Sequence, residues 1–480
     1  MTSRIDRRGA TLAVLCAMAL MIVLDSTVVA VAVPTIQRDL GFSDAGVAWV
    51  VNAYLLGFAG LLLLAGRLGD LIGAWRVFLA GVASFTAASL LCGLAPTAEL
   101  LVAGRFVQGA GGALASAVIL GMIVRGYPEP GGQARAMGIY SFVQAGGAAL
   151  GFVAGGIVTQ SVGWPWAFLV NVPIGVLAWC AAVRLLPREP GQGLRGGLDV
   201  PGALLITAGL SLGVYAIVRT AEPAASTVSV LLTGAVAALL VAGFLVRQRW
   251  ARRPLIPLRL LGRPWLLGAN AVVVLVFAAG VGFQFVNALF VQRIMGYDAL
   301  RTGAAFLPTP VLIGVVSLLV APRLTGRFGP RPVLLGGLVA LAAGLTMLSR
   351  APVGSSYLVD LLPALLVMGL GVGVTIPSLI MLSMAGAARC DTGMVSGLTT
   401  TAQQAGAALG LAVLAAVAAG HTSRSGSAPL AALRDGYSLA FLVAAGFVVG
   451  ALVLTAFVLR HPPAVEDPSP EHADTLSTVH

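Results

Sequence analysis

Asp25, Arg105 and Gln108 lie inside long apolar stretches of the chain. An ionisable group in such a stretch is expensive to bury, which marks it as a functional position by default. Burial disfavours the charged form of a carboxyl, and a nearby guanidinium favours it. A carboxyl held between those influences can take up and release a proton as its surroundings change. Gln108 follows Arg105 by three residues and shares its helix face. The static alternative is an Asp–Arg pair that only holds two helices together. Covalent or metal chemistry is not expected: the apolar stretches show no clustered Asp, Glu or His at catalytic or metal spacing. The sequence has no Gly-x-x-x-x-Gly-Lys-Ser/Thr loop, so ATP drive is not expected either. His421, His461, His472 and His480 fall outside the apolar spans, which leaves no histidine to carry a proton through a membrane.

The elements that must position these residues follow from composition. The 480 residues are 58% hydrophobic and only 10% charged, too few to coat a soluble core. The net charge of +11 comes without lysine, and its arginines are scattered through short connections, so nucleic acid is not expected as a partner. Cys16, Cys92, Cys180 and Cys390 have no metal or redox spacing and read as structural. Fourteen apolar runs are long enough to span a bilayer, about 20 residues each. The first, 10–33, is too long for a signal peptide and contains Asp25, so it reads as a retained span.

Helix 1 runs from about residue 10, which places Asp25 ~22 Å from its starting end at ~1.5 Å per residue. Helix 4 enters from the other side at about residue 100, which places Arg105 ~8 Å deep. In a hydrocarbon core of ~30 Å these depths coincide, and the two residues are expected to meet in one central cavity. The connections and tails on the N-terminal side hold 21 arginines against 7 on the other, Arg105 lying within a span. The positive-inside rule therefore puts both termini in the cytoplasm of a bacterial inner membrane.

The division expected is a tail over 1–9, six helices over 10–186, a two-helix insertion with a basic linker over 187–264, six helices over 265–460, and a disordered tail over 461–480. Helices 7 and 8, within the insertion, read as peripheral and lipid-facing. The fold class is an all-α integral membrane protein with 14 transmembrane helices.

Between helices 2 and 3 lies Gly66-Arg-Leu-Gly-Asp70-Leu-Ile-Gly73-Ala-Trp-Arg76. An echo, Arg323-Leu-Thr-Gly-Arg327-Phe-Gly329-Pro-Arg331, follows in the second half. The first resembles the signature loop of the major facilitator superfamily, and the echo is what a duplicated half would leave. Leu24-Asp25 to Ile36, Arg105-Phe-Val-Gln108-Gly109-Ala-Gly111, Trp164 to Gly175, and Ser396 to Gly410 resemble, in order, motifs of its fourteen-helix drug:proton antiporter branch. That resemblance implies two six-helix halves plus two extra central helices. It also implies a secondary exporter of amphipathic toxic molecules, not an enzyme, with the proton gradient as coupling ion and no cofactor. Its partners are then a small amphipathic substrate, protons and the lipid bilayer, and the chain is expected to be a monomer.

The resemblance further implies that Gly66, Asp70, Gly73 and Arg76, with Arg327 and Gly329, form a conformational gate. In helix 5, Gly147, Gly151, Gly155 and Gly156 match the antiporter packing motif, and small residues four apart let helices approach closely. Phe152 stands where that motif has proline, which favours a second reading as a facilitator or symporter for one metabolite. A non-transporting sensor is a third, but no stretch is long enough for a signalling domain. Gln284, Asn287, Gln403 and Gln404 are polar groups that either line the second half of the cavity or bond between helices.

Overall fold

The computed structural model describes residues 2–127, 129–188, 190–191, 193, 199–221, 225–251, 254–255, 262–385, 392–425 and 428–459. Cys390, Arg195, Arg252, Arg253, Arg259 and the tail over 461–480 lie outside them. Among the described residues, fourteen helices are long and apolar enough to cross a membrane. They are α1 Arg8–Leu40, α2 Gly46–Ile72, α3 Ala74–Gly93, α4 Ala98–Gly126, α5 Arg135–Ser161, α6 Pro165–Leu185 and α7 Val200–Arg219. The remainder are α8 Thr227–Trp250, α9 Pro264–Arg293, α10 Ala299–Phe328, α11 Pro330–Ser349, α12 Tyr357–Met384, α13 Met394–Arg424 and α14 Pro429–Phe457. The chain is a multi-pass membrane protein. The face from which α1 starts is called the terminal face below, and the other the opposite face.

Proline sets several starts. Pro165, Pro264, Pro330 and Pro429 sit in the first two positions of their helices, where a missing N–H breaks no helical bond. Inside a helix proline has the reverse effect. Pro173 cannot donate to Leu169, and α6 accordingly divides into Pro165–Leu169 and Asn171–Leu185. The segment α10 carries Pro308, Pro310 and Pro322 and contains a π-helical stretch, Val316–Val320.

The duplicated halves are visible in packing. In the first half α1 packs on α5, α2 on α4, and α3 on α4 and α6. In the second half α9 packs on α13, α10 on α12, and α11 on α12 and α14, the same pattern eight helices later. The halves meet where α2 packs on α13 and α5 on α10. Gly73 joins α2 to α3 at φ 97°, and Gly329 joins α10 to α11 at φ 82°. Each N–H closes the preceding helix, Gly73 onto Gly69 O at 3.1 Å and Gly329 onto Thr325 O at 2.9 Å. A side chain at that φ is strained, so glycine recurs at both junctions.

Three expectations need correcting. The signature segment is not an eleven-residue loop: α2 continues through Ile72, so Gly66 and Asp70 are helical and Gly73 alone makes the turn. Arg323 and Arg327 likewise lie on α10 and not in a connection. Helix 7 is not simply peripheral, because α7 packs on both α2 and α13 and so touches both halves, with Thr207 filling the space beside Gly60. Only α8 answers to the lipid-facing description: Val228, Leu231 and Leu239 are exposed and its packing is mainly on α7.

The hydrogen bonds and ion pairs found between the two six-helix halves, among the described residues, all lie at the opposite face. Arg293 at the end of α9 donates Nη1 to Asp44 Oδ1 at 2.8 Å and Nη2 to Gln37 Oε1, and Gln292 Nε2 donates to Val31 O at 3.0 Å. Phe152 of α5 meets Phe306 of α10 edge to face, centroids 5.5 Å apart. The bundle is pinned shut at that end.

Candidate proton site and gate

Asp25, Arg105 and Gln108 come together as expected, midway along α1 and about two turns into α4. Asp25 and Arg105 are each 1% exposed. Arg105 Nη1 donates to Asp25 Oδ2 at 2.5 Å and to Gln108 Oε1 at 2.7 Å. Its Nε donates to Val50 O of α2 at 2.8 Å. The guanidinium lies over the Tyr54 ring at 4.5 Å and the Phe168 ring at 5.6 Å, so aromatic faces support the buried cation.

Gln108 makes a complete set of bonds. Its Nε2 donates to Asp25 Oδ1 at 2.7 Å and to Ser89 Oγ of α3 at 2.8 Å, while the Ser89 hydroxyl donates to Phe85 O at 2.8 Å. Asn171, first residue after the break in α6, donates Nδ2 to Asp25 Oδ1 at 3.2 Å. Three helices, α3, α4 and α6, thus hold the carboxylate of α1 directly or through Gln108. A buried ion pair survives only when its remaining donors and acceptors are satisfied in this way. The site is a neutral, closed unit that a proton on Asp25 would unbalance.

Sequence reasoning missed Ser89, Tyr54 and the contact of Asn171. A serine or tyrosine in an apolar run carries no signal of its own, since it can bond its own helix. Asn171 stood within the motif that opens α6, and the following Pro173 was the clue to a bend there.

The glycine motif of α5 lies against α1 and α10. Side chains at these positions would collide: a Cβ on Gly147 would come 2.7 Å from Leu20, on Gly151 1.8 Å from Thr27 Oγ1, and on Gly155 2.8 Å from Val28 Cα. One on Gly156 would reach 2.8 Å from Ala299 O of the other half. Between them Phe152 faces Phe306, so the residue replacing proline has acquired a contact between the halves.

The expected gate residues sit at the terminal face, and no bond from them across the halves is found among the described residues. Asp70 pairs with Arg67 of its own helix at 3.8 Å, Arg76 Nη1 donates to Ile72 O at 3.3 Å, and Arg327 stacks on neighbouring Phe328. Nothing lies within 4 Å of a Cβ built on Gly66 or Gly329. Of the amides in the second half, Asn287 is buried and Gln284, Gln403 and Gln404 are partly buried; no side-chain hydrogen bond is found for them among the described residues. Asn270, by contrast, donates to Leu266 O of its own helix at 2.8 Å.

At the opposite face, burial raises the proton affinity of the Asp44 carboxyl. The hydrogen bonds from Arg293 and Gln37, with the Arg293 charge, outweigh it and hold the carboxyl below its ordinary range. Asp199, which accepts from Arg247, Gln248 and the Gly202 N–H, is likewise lowered against its burial. That cluster ties the start of α7 to the end of α8.

The family model described as Major Facilitator Superfamily matches residues 15–411. The chain belongs to the Major Facilitator Superfamily. Among curated proteins similar to this chain, the puromycin resistance protein pur8 of Streptomyces alboniger is 38% identical over 456 residues, covering 94% of this chain and 90% of that one. The cephamycin export protein CmcT of Amycolatopsis lactamdurans is 37% identical over 477 residues, covering 98% and 97%. A crystal structure of a bacterial homologue of the lysosomal transporter Spinster, inward-facing and unoccupied, superposes with a TM-score of 0.67 at 16% identity, covering 95% of this chain and 99% of that one. The superfamily fold thus accounts for the repeated halves, and α7 and α8 lie between them in the chain.

Proposed function

We propose that this major facilitator protein exports amphipathic, toxic small molecules of the antibiotic kind in exchange for protons. The observation that carries the proposal is the buried Asp25 carboxylate, neutralised by Arg105 and held by Gln108 and Asn171. The names of the two curated relatives, a resistance protein and an export protein, support the substrate class.

The arginine distribution supports placing both termini in the cytoplasm, which makes the terminal face cytoplasmic. The bonds at the opposite face then describe an inward-facing state with its outer gate closed. Protonation of Asp25 removes the charge that holds Arg105, while the guanidinium keeps Gln108 and Val50 O as partners. A substrate reaching the cavity competes for the same carboxylate, and exchange follows because the two occupants are mutually exclusive. Gln284, Gln403 and Gln404 offer neutral hydrogen-bonding groups to that substrate, and Asp70, Arg76 and Arg327 control the cytoplasmic gate.

Everted membrane vesicles energised to an acid interior test this, with puromycin and ethidium as probes. A probe that releases protons through the wild-type protein and not through Asp25→Asn supports antiport at Asp25. A probe that crosses equally well through both without discharging the gradient sinks it and leaves a facilitator.

A further inference from the structure

The bonds around Asp25 are complete for the ionised carboxylate and incomplete for the acid. We infer that Asn171 is a positioning residue with two roles: its amide N–H holds the carboxylate, and its amide oxygen receives the proton-bearing oxygen of the acid. This inference rests on the reading of Asp25 as the proton carrier.

A carboxylate is acceptor only, and three donors satisfy it here: Arg105 Nη1, Gln108 Nε2 and Asn171 Nδ2. Once protonated, the carboxyl becomes a donor and needs an acceptor within reach. Gln108 Oε1 already accepts from Arg105 at 2.7 Å, and its Nε2 is spent on Ser89 and Asp25. Ser89 Oγ accepts from Gln108 and donates to Phe85 O. Asn171 is fully buried, and its Oδ1 is without any hydrogen-bond partner although its Nδ2 touches the carboxylate. A buried acceptor left unpaired in that position is costly in the ionised state. Rotation of the amide by half a turn presents Oδ1 where Nδ2 was, and the same side chain then serves the acid.

The break in α6 makes this possible. Pro173 cannot donate to Leu169, the helix divides before Asn171, and the side chain reaches α1 from the start of the second segment. The other titratable or charged groups around Asp25 are Arg105 of α4, Tyr54 of α2 and Cys92 of α3. Arg105 has no acceptor atom. Cys92 Sγ is a weak one and lies 3.9 Å from Gln108 Oε1. Tyr54 Oη, buried and unpartnered, is the rival acceptor.

Difference infrared spectroscopy between high and low pH tests the inference on purified protein in vesicles of bacterial phospholipid, with no substrate added. The wild type is expected to show a protonated-carboxyl band that Asp25→Asn abolishes. In Asn171→Leu that band moves to higher frequency, toward an unbonded acid, while Asn171→Gln brings it back toward the wild-type position. Asn171→Ala carries the same expectation as Leu with less bulk, should the Leu protein fail to fold. A band left in place by both Leu and Ala overturns the assignment, as does one that moves in Tyr54→Phe instead. The absence of any Asp25-dependent band in the wild type rejects Asp25 as the carrier, and that outcome is distinct from a band that ignores Asn171.

Discussion

Arg293 Nη1 lies 2.8 Å from Asp44 Oδ1, and this contact joins the last residue of α9 to the connection between α1 and α2. It is the ion pair found between the two halves among the described residues, and with Gln37 and Tyr437 it makes Arg293 the centre of the closed end. Half of the Asp44 side chain is exposed, so the pair alone contributes only about 0–1 kcal/mol. Replacing Arg293 by Ala also removes the Gln37 and Tyr437 contacts. The expected result is a shift of about three- to tenfold toward the state open at the opposite face, for the ~1 kcal/mol scale of such bonds. Accessibility of a cysteine placed at Val31 to a membrane-impermeant thiol reagent reads that shift.

The pH response of this gate has a definite sign. Asp44 is held below its ordinary value in the closed state, so its contribution to closure is fully present above about pH 4 and is lost as pH falls through the lowered value. Labelling at Val31 is therefore expected to be flat between pH 5 and 8. A rise within that window would mean that another group titrates the gate.

Arg105 and Asp25 form a pair in which removing one partner strands the other. Arg105→Gln and Asp25→Asn are each expected to destabilise the protein, Arg105→Gln by about 3–5 kcal/mol because it leaves a buried carboxylate without its cation. The double variant should be closer to wild type than the two effects summed, since neither charge remains. Thermal unfolding in lipid nanodiscs, compared across the four proteins, measures that coupling.

Phe152→Ala removes an edge-to-face contact between α5 and α10, and such pairs are worth about 0.5–1.5 kcal/mol beyond their buried area. The variant is expected to loosen the closed end about two- to tenfold in the same labelling assay. Phe152→Pro should do the same, because it too loses the ring. If Phe152→Pro left closure intact, the contact with Phe306 would be incidental.

Gly151→Val is expected to abolish transport at normal expression, or to prevent accumulation altogether, because even a Cβ would fall 1.8 Å from Thr27 Oγ1. Gly146→Ala, with nothing within 4 Å, should be silent. Membrane abundance and vesicle transport separate the two cases.

The sequence by itself determined that this chain spans a membrane fourteen times, because bilayer thickness fixes helix length and hydrophobicity is additive along the chain. It determined the pairing of Asp25 with Arg105 as well, since helix rise converts residue number into depth and two buried opposite charges at one depth must find each other. It did not determine that Gln37, Asp44 and Arg293 close the opposite face, or that Asn171 and Ser89 complete the site. Those contacts depend on which helix lies beside which, and on where Pro173 bends α6. The signature segment shows the same division: its glycine spacing was legible, but that a single residue, Gly73, makes the whole turn was decided by backbone geometry. Tertiary packing settled these points because a polar residue near a helix end reads alike whether it faces water, lipid or another half of the protein.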